Sequence, residues 1–451
     1  MRRSILVLSF VIVASAAHSQ STPAATLTAS TPTFSAELGN SVAINGSTIA
    51  AGAPEAYTNG VFGYQNTGAV YVFTKAASAP WNDMTESAQL VVPNVLPGHR
   101  VGWSVAMSGD GSTIVLGAPG IDSVSGEAYV FVRPDGGWHG TMNPIAALGP
   151  GPPPRPWVLM GHVGYSVAIN AKGDTIVAGA LDAGSLDHKS AGKKVAGVSH
   201  QGAAYVWVKP NAGWTNANGV TPTAKLTASD GLAGDSFGWS VAISANTIVA
   251  GAPVPTANGN LGSAYLFTRP ATGPWHDTNK FQSKLTVADN DYNGLLGYSV
   301  AVGNSGAWVV VGNAFGCHKS PGQVDVFVRP PSGAWPPRPV SKATLRPSDM
   351  VNGGACFGEF VAAGNNEVIV AAPLAPYDTL TNSPGGGLAY TFVAPTTGWA
   401  DMSLPAGLVG TRSANLFSFS NSASGRSIAI GAPGTPESGN NRAGAVFIFS
   451  N

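Results

Sequence analysis

Charged residues are scarce in this sequence. They make up 10% of its 451 residues, against about 25% in an ordinary globular domain. Lys and Arg together number 23, as do Asp and Glu, so the chain has no net charge and no overall field that would attract a polyanion. The composition therefore gives no support for nucleic acid as a partner or for binding to an anionic membrane surface.

A helical period and long apolar runs are also missing. No stretch sustains the 3.6-residue apolar period of long helices, whereas 58 Gly and 34 Pro separate short runs of aliphatic and β-branched residues. Such runs, bounded by turn residues, are typical of strands. The sequence predicts an all-β protein.

The one longer apolar run stands at the N-terminus. Arg2 and Arg3 precede the run Ile5–Ala14, and Ala14-Ser15-Ala16 forms an A-x-A-like cleavage site. This order is typical of a secretory signal peptide, and the run is shorter than the roughly 20 residues of a membrane span. We expect residues 1–20 to be a signal peptide and residues 21–451 a single domain that is secreted, periplasmic or attached to the cell surface, with no transmembrane segment.

One pattern repeats seven times along the chain. In the stretch Phe237–Thr268, three short runs rich in β-branched and aromatic residues are separated by turns. The first marker of each copy is an apolar residue followed by Gly, with successive markers 59 to 74 residues apart: Leu38-Gly39, Val101-Gly102, Val163-Gly164, Phe237-Gly238, Leu296-Gly297, Phe357-Gly358 and a degraded Leu416-Phe417. The second marker is a Gly-Ala-Pro corner, found at Gly52, Gly117, Gly251 and Gly431. A repeat at this period predicts a repeat architecture.

Each copy predicts four strands. A third strand is followed by a turn that ends in tryptophan, and a leucine marks the fourth strand. Seven such sheets predict a seven-bladed β-propeller of four-stranded antiparallel blades, which leaves few open edges. The last copy ends after its third strand, and the segment Ala25–Ser30 resembles the fourth-strand segment Ala224–Ser229. We expect the N-terminal strand to complete the last blade and close the ring.

Phe237-Gly238 and Gly251-Ala252-Pro253 resemble the two motifs of the FG-GAP repeats in integrin alpha-chain propellers and their bacterial relatives. The resemblance covers essentially all of residues 21–451. It implies a seven-bladed propeller outside the cytoplasm that serves adhesion or ligand binding, and it names no ligand.

The sequence departs from this family at the calcium loops. Many members carry a D-x-D-x-D-G loop between the first two strands of a blade, but here the turns are short, and Asp110 and Asp174 are lone carboxylates. Calcium takes six to eight oxygen ligands, so we expect these calcium sites to be absent, with no cofactor and no metal. The segment Asp289–Gly294 reads D-x-D-x-N-G but lacks the closing carboxylate, which makes metal binding there the weaker interpretation.

Most long loops are predicted on one face of the disc. In a four-stranded blade, the connections from the second to the third strand and from the fourth strand to the next blade share a face, which we call the long-loop face. Its largest insertion, Leu181–Gln201, is either a ligand-contacting loop or a solvated insertion. The candidate ligand-binding residues are Asp187, His188, Lys189, Lys193, Lys194 and His200. His99, His162 and His318 lie on the same face, where scattered surface histidines are favoured over a metal cluster.

Two further residue sets have structural interpretations. The only cysteines, Cys317 and Cys356, fall on the long-loop face of neighbouring blades, and a disulfide is favoured over two free thiols in an exported protein. The tryptophans of the third turn repeat once per blade, which favours packing over sugar stacking. They are Trp81, Trp138, Trp214, Trp275, Trp335 and Trp399.

The sequence best fits a binding or adhesion module. No copy offers an Asp/His/Ser set or paired carboxylates, so we expect no catalytic residues and no enzymatic activity. The expected partner is an extracellular protein or glycan, bound through the long-loop face by a monomer. The alternatives are a hydrolase or lyase with a site at the mouth of the central channel, and a structural cell-surface component.

Overall fold

The structure is a computed structural model. It describes residues 22–60, 63–120, 126–150, 161–183, 201–254, 262–287, 294–303, 306–314, 322–331, 333–348, 356–375, 386–404, 408–409, 419–436 and 442–450.

The chain forms seven sheets arranged around one axis, as predicted, and each sheet is one blade. The innermost strands are Ser41–Asn45, Ser104–Met107, Val167–Ile169, Val241–Ser244, Leu296–Val302, Val361–Ala363 and Ser420–Ser424. The second strands are Thr48–Ala53, Thr113–Ala118, Thr175–Ala180, Thr247–Ala252, Trp308–Asn313, Glu367–Ala372 and Ser427–Ala432. The third strands are Ala69–Thr74, Glu127–Val132, Ala203–Val208, Ser263–Thr268, Gln323–Val328, Leu388–Val393 and Ala445–Ser450. The fourth strands are Ala88–Leu90, Ala146–Leu148, Ala224–Leu226, Ser283–Leu285, Ala343–Pro347, Leu408–Val409 and Ala25–Thr28.

The second strands lie deepest. All six residues of Thr113–Ala118, Thr175–Ala180 and Thr247–Ala252 are buried, because each sheet packs against a neighbouring blade on both of its faces. Strands buried on both faces have continuous apolar sequences, whereas strands with one solvent-exposed face alternate apolar and polar residues. The outer strand Ala224–Leu226 alternates buried and partly buried residues, since its second face is nearer to solvent.

The ring closes as predicted. Ala25, Thr26 and Leu27 pair antiparallel with Ile448, Phe447 and Val446, so the N-terminal strand is the fourth strand of the last blade. Pairing the two ends of the chain removes the open edge that the first and last copies would otherwise leave.

Four blades carry a further outer strand that the sequence reading missed. A segment after the tryptophan turn of one blade pairs parallel with the fourth strand of the preceding blade. These segments are Met84–Thr85, Gly140–Met142, Asn216–Val220 and Met402–Leu404. Asp83, Asp277 and Asp401 accept hydrogen bonds at 2.8 Å from backbone N–H groups of the fourth strand that they reach. The blade-one loop also holds a hairpin, Tyr57–Gly60 with Gly63–Asn66.

The six tryptophans of the third turn are packing residues, as interpreted from the sequence. Each is at most 5% exposed. The indole N–H groups of Trp138 and Trp214 donate to the carbonyl oxygens of Gly111 and Gly173, in the turns between first and second strands. These contacts place both kinds of turn on the face opposite the long loops.

Neighbouring blades are joined by a repeated contact between glycines. The carbonyl oxygen of Gly297, from the Phe-Gly-type marker of blade five, lies against the Cα of Gly251 in the Gly-Ala-Pro corner of blade four, where a Cβ would collide with it. The same oxygen accepts a hydrogen bond of 2.8 Å from Ser240 Oγ. Six junctions have this serine bond, donated by Ser41, Ser104, Ser166, Ser240, Ser299 and Ser420.

The junction between blades six and seven differs. Phe360 stands in place of the serine and Ala371 in place of the corner glycine, and the ring of Phe360 packs on Phe419 with centroids 5.0 Å apart. Ser420 donates to the carbonyl oxygen of Gly39, which identifies it as the first-strand serine of blade seven. The expected seventh marker, Leu416-Phe417, lies outside the described residues.

Substitution of a corner glycine tests the contact between blades. We expect Gly251→Ala to lower the free energy of unfolding by about 2 to 4 kcal/mol, because the added Cβ would push back the Gly297 backbone. The measurement is urea unfolding. Gly149→Ala is the matched control, since a Cβ there would meet only the tip of Glu127 at 3.8 Å. Equal, small losses in both variants would contradict the role of Gly251.

Truncation of a side chain in the N-terminal strand tests ring closure. Leu27 is 0% exposed, and we expect Leu27→Ala to cost about 2 to 4 kcal/mol in urea unfolding because it leaves a cavity in the core. Thr28→Ala, at the partly exposed end of the same strand, should change stability by less than about 0.5 kcal/mol. A Leu27→Ala cost as small as that of Thr28→Ala would argue against a closed last blade.

Candidate functional site

The predicted ligand-contacting residues Asp187, His188, Lys189, Lys193, Lys194 and His200 lie outside the described residues, and their role stays a prediction. The two ends of their loop are described and held close together. The N–H of Gly202 donates to the carbonyl oxygen of Ala183 at 3.0 Å. Asp182 lies 3.4 Å from His162 Nε2, and Gln201 is buried, with its side-chain amide bonded to the Ala228 carbonyl at 2.6 Å. The insertion thus starts and ends on a fixed base.

The long-loop face carries polar contacts between neighbouring loops. Arg100 Nε lies 3.0 Å from Glu55 Oε1. This ion pair joins two loops: Arg100 lies on the connection from blade one to blade two, and Glu55 on the loop between the second and third strands of blade one. His162 is bonded to the Pro119 carbonyl through Nδ1 at 3.2 Å, and burial lowers the pKa of His99. His318 lies outside the described residues. Within the part of the chain that is described, no three His, Cys, Asp or Glu side chains group as metal ligands.

The turns where the family carries calcium loops are hairpins wherever the structure describes them. Asp110 accepts hydrogen bonds from Ser108 Oγ at 2.6 Å and from the Ser112 N–H at 2.9 Å. Burial opposes ionisation, but these bonds hold the pKa of Asp110 at about 2. Asp174 is bonded to Asn170 at 2.6 Å and Thr175 at 2.9 Å. Both carboxylates therefore serve their own turns. The Asp289–Gly294 segment lies largely outside the described residues.

Cys356 is 2% exposed. It lies directly before the Phe357-Gly358 marker of blade six, as the sequence indicated. Its expected partner Cys317 is outside the described residues, so the pairing of the two stays a prediction.

Aromatic rings line the central channel at the end that faces the long loops. They belong to the residue between the marker glycine and the first-strand serine. Consecutive ring centroids are 5.7 Å apart for Trp103 and Tyr165, 5.0 Å for Tyr165 and Trp239, and 5.2 Å for Trp239 and Tyr298. We call these four residues the aromatic collar. Arg100, on a long-loop connection, stacks on Trp103 with its guanidinium carbon 5.1 Å from the ring centroid, which places the collar at the mouth of the channel.

Blade six breaks the aromatic series with a carboxylate, Glu359. Tyr298 Oη donates to Glu359 Oε1 at 3.4 Å. Burial raises the pKa of Glu359 to about 7, and the bond from Tyr298 offsets only part of this rise. Burial and then the charge of Glu359 raise the pKa of Tyr165, three blades away, to about 12. Both residues line the central channel.

The collar and Glu359 border a cavity of about 410 Å³. This is the size of a small-molecule site, where aromatic walls and a few polar groups are typical. These residues were not predicted from the sequence, where the tryptophans of the third turn are the more regular aromatic repeat. The signal was present: an aromatic residue stands between Gly and Ser in four consecutive copies. The sequence also shows that a carboxylate, Glu359, occupies this position in the next copy.

The fold and the cavity define a class: a seven-bladed β-propeller with a ligand-sized pocket at one end of its channel. Three segments match a family model described as FG-GAP repeat, residues 22–73, 84–131 and 220–267. Together with the seven blades, these matches support an FG-GAP repeat propeller, a fold typical of binding and adhesion modules and of a family that is generally non-enzymatic. No curated protein matches the chain. Among the described residues, no helix has the length and apolarity needed to cross a membrane.

The raised pKa of Glu359 predicts a pH-dependent stability. Between its ordinary value of 4.5 and about 7, the folded chain binds more protons than the unfolded chain. The stability from this group is therefore complete below pH 4.5 and is lost as pH rises through 7. We expect Glu359→Gln to remove this slope and to gain on the order of 1 to 3 kcal/mol over wild type at pH 8. The measurement is urea unfolding between pH 4.5 and 8.

The exposed turn residue Asp135 supplies the control for this measurement. Asp135→Asn makes the same charge change away from the channel and should leave the slope between pH 4.5 and 7 intact. Parallel curves for Glu359→Gln and wild type would contradict the burial of an ionisable carboxyl at this place.

Proposed function

We propose that the chain is an exported, non-enzymatic binding or adhesion module that recognises a protein or glycan through its long-loop face. The observation that carries this proposal is the aromatic collar at the channel mouth on that face. Collar residues extend from inner strands whose neighbours are joined by the glycine contacts, so their rings are held in place before a ligand arrives. A site of this kind loses little entropy on binding.

The long-loop insertion supports the same face. Its base is fixed by Asp182, Ala183 and Gln201, and binding residues are commonly found on loops that a rigid scaffold presents. We propose that the residues expected from the sequence, His188 and Lys189 among them, contact a ligand that also reaches the collar. We also propose that the chain acts as a monomer that is secreted, periplasmic or attached to the cell surface.

One observation favours a second candidate function, an enzyme with its site at the channel mouth. A carboxyl group with a pKa of about 7 is suited to general acid–base catalysis. Hydrolysis of a glycoside commonly needs two carboxyl groups, however, and Glu359 is the only one among the described residues that line the cavity. The binding function is therefore preferred.

Removal of the insertion tests the proposed face. We expect the purified chain to bind components of an array of glycans and extracellular matrix proteins. Replacing residues 184–200 with a short Gly-Ser linker should weaken that binding at least tenfold, because the loop supplies part of the contact surface. Ala183 and Gln201 are retained, since both are buried and anchor the loop ends.

The array experiment has two controls. An unchanged urea midpoint for the loop variant shows that the propeller still folds, and shortening an opposite-face turn such as residues 135–137 should leave binding unchanged. A ligand that binds equally well without residues 184–200 and with Trp239→Leu would contradict binding at this face. EDTA in a parallel set tests the expectation that no metal is needed.

A further inference from the structure

The channel cavity holds one formal charge. Asn, Ser, Val and aromatic residues make up the rest of its lining, and Glu359 is the only Asp, Glu, Lys, Arg or His among the described residues there. None of the ion pairs between described residues includes Glu359. Its side chain accepts a long hydrogen bond of 3.4 Å from the Tyr298 hydroxyl. A carboxylate that is partly desolvated and lacks a counter-charge favours a cationic ligand.

Arg100, a cation on the rim of the channel, is engaged by other residues. Arg100 pairs with Glu55 at 3.0 Å while its guanidinium stacks on Trp103. This stacking also shows that a ring of the collar already accepts a cation on its face. Aromatic faces attract cations through the ring quadrupole, most strongly for tryptophan and where water is excluded.

The wall chemistry distinguishes between kinds of cation. A primary ammonium carries three N–H donors, each of which needs an acceptor when it leaves water. The serine hydroxyls next to the collar are engaged with marker-glycine carbonyls. Besides Glu359 and the unpaired Oδ1 of Asn421, the lining near the collar is therefore mainly the apolar surface of rings and valines. A fully alkylated ammonium has no N–H donors to satisfy, and its methyl groups pack on apolar and aromatic walls.

We propose that this cavity binds a compact quaternary ammonium group, held between the aromatic collar and the carboxylate of Glu359. The proposal deepens the binding function above and rests on it, since it names the ligand chemistry of the same site. The group is supplied either by a free small molecule such as choline or by a trimethylated lysine on a protein.

Titration with a cation and its neutral isostere tests the charge. The purified chain is titrated with choline and with 3,3-dimethylbutan-1-ol, which has the same shape and no charge, at pH 8 and constant ionic strength. Calorimetry and tryptophan fluorescence report binding. We expect choline to bind at least tenfold more tightly than the alcohol. A short peptide with trimethyl-lysine forms the second arm, and the tighter of the two cationic ligands identifies the source.

Variants assign the binding to this site. Glu359→Gln should weaken choline binding at least tenfold and leave the alcohol unaffected. Trp239→Leu keeps apolar bulk but removes a π face, and it should weaken choline at least fivefold. Asp135→Asn, with the same change in net charge on an exposed turn, should bind choline as wild type does. Thermal unfolding of each variant confirms that the chain is folded.

The pH dependence gives an independent readout. Choline affinity should fall from pH 8 to pH 6 as Glu359 takes up a proton, and Glu359→Gln should show no such fall. The other titratable groups that face Glu359 are Tyr298 and Tyr165, whose pKa values burial raises, and both stay neutral over this range.

Three results would overturn the proposal: equal affinities for choline and the alcohol, wild-type affinity in Glu359→Gln, or equal losses in Glu359→Gln and Asp135→Asn. Failure of the cation is distinguishable from failure of the binding function. A glycan or protein that binds, is lost in Trp239→Leu and is retained in Glu359→Gln would leave the collar as a binding site while removing the quaternary ammonium as its ligand.

Discussion

A glycine carbonyl of one blade pressed against a glycine Cα of the blade before it sets the geometry of this ring. At Gly251 and Gly297 the approach is so close that any side chain would prevent it, and a serine hydroxyl hydrogen bond secures the same oxygen. The same contact recurs between other neighbouring blades, so it sets a similar spacing between blades around the ring. The two motifs of the repeat, the Phe-Gly-type marker and the Gly-Ala-Pro corner, thus form the two sides of one contact between blades, which we call the joint.

The same joint determines what the channel looks like. Because the marker glycines bring the inner strands close together, side chains that follow them meet their neighbours around the axis at 5.0 to 5.7 Å between ring centroids. Residues 60 or so positions apart in the chain become adjacent, as expected for a propeller. A uniform scaffold leaves one variable position per blade, and the differences at that position, Glu359 above all, give the channel mouth its chemistry.

Departures from the joint are concentrated beside that carboxylate. Blade six replaces the serine with Phe360 and the corner glycine with Ala371, and a tilted aromatic contact between Phe360 and Phe419 forms at this junction. A bulky apolar contact tolerates the Cβ that the glycine contact excludes. The residues at this junction therefore differ from those at the other junctions, and the single charged residue of the channel lining, Glu359, lies beside it.

The sequence by itself determined the strands, the seven copies and the closure by Ala25–Thr28, because alternation, turn residues and repeat spacing are local signals. Only the tertiary structure decided which repeated aromatics line the channel. Trp138 and Trp239 look alike in the chain, yet one is buried under a turn and the other lines the channel. Nor could spacing show the parallel outer strands such as Gly140–Met142, since their partner is in the preceding blade. Proximity across blades depends on the closed ring, and no local pattern encodes it.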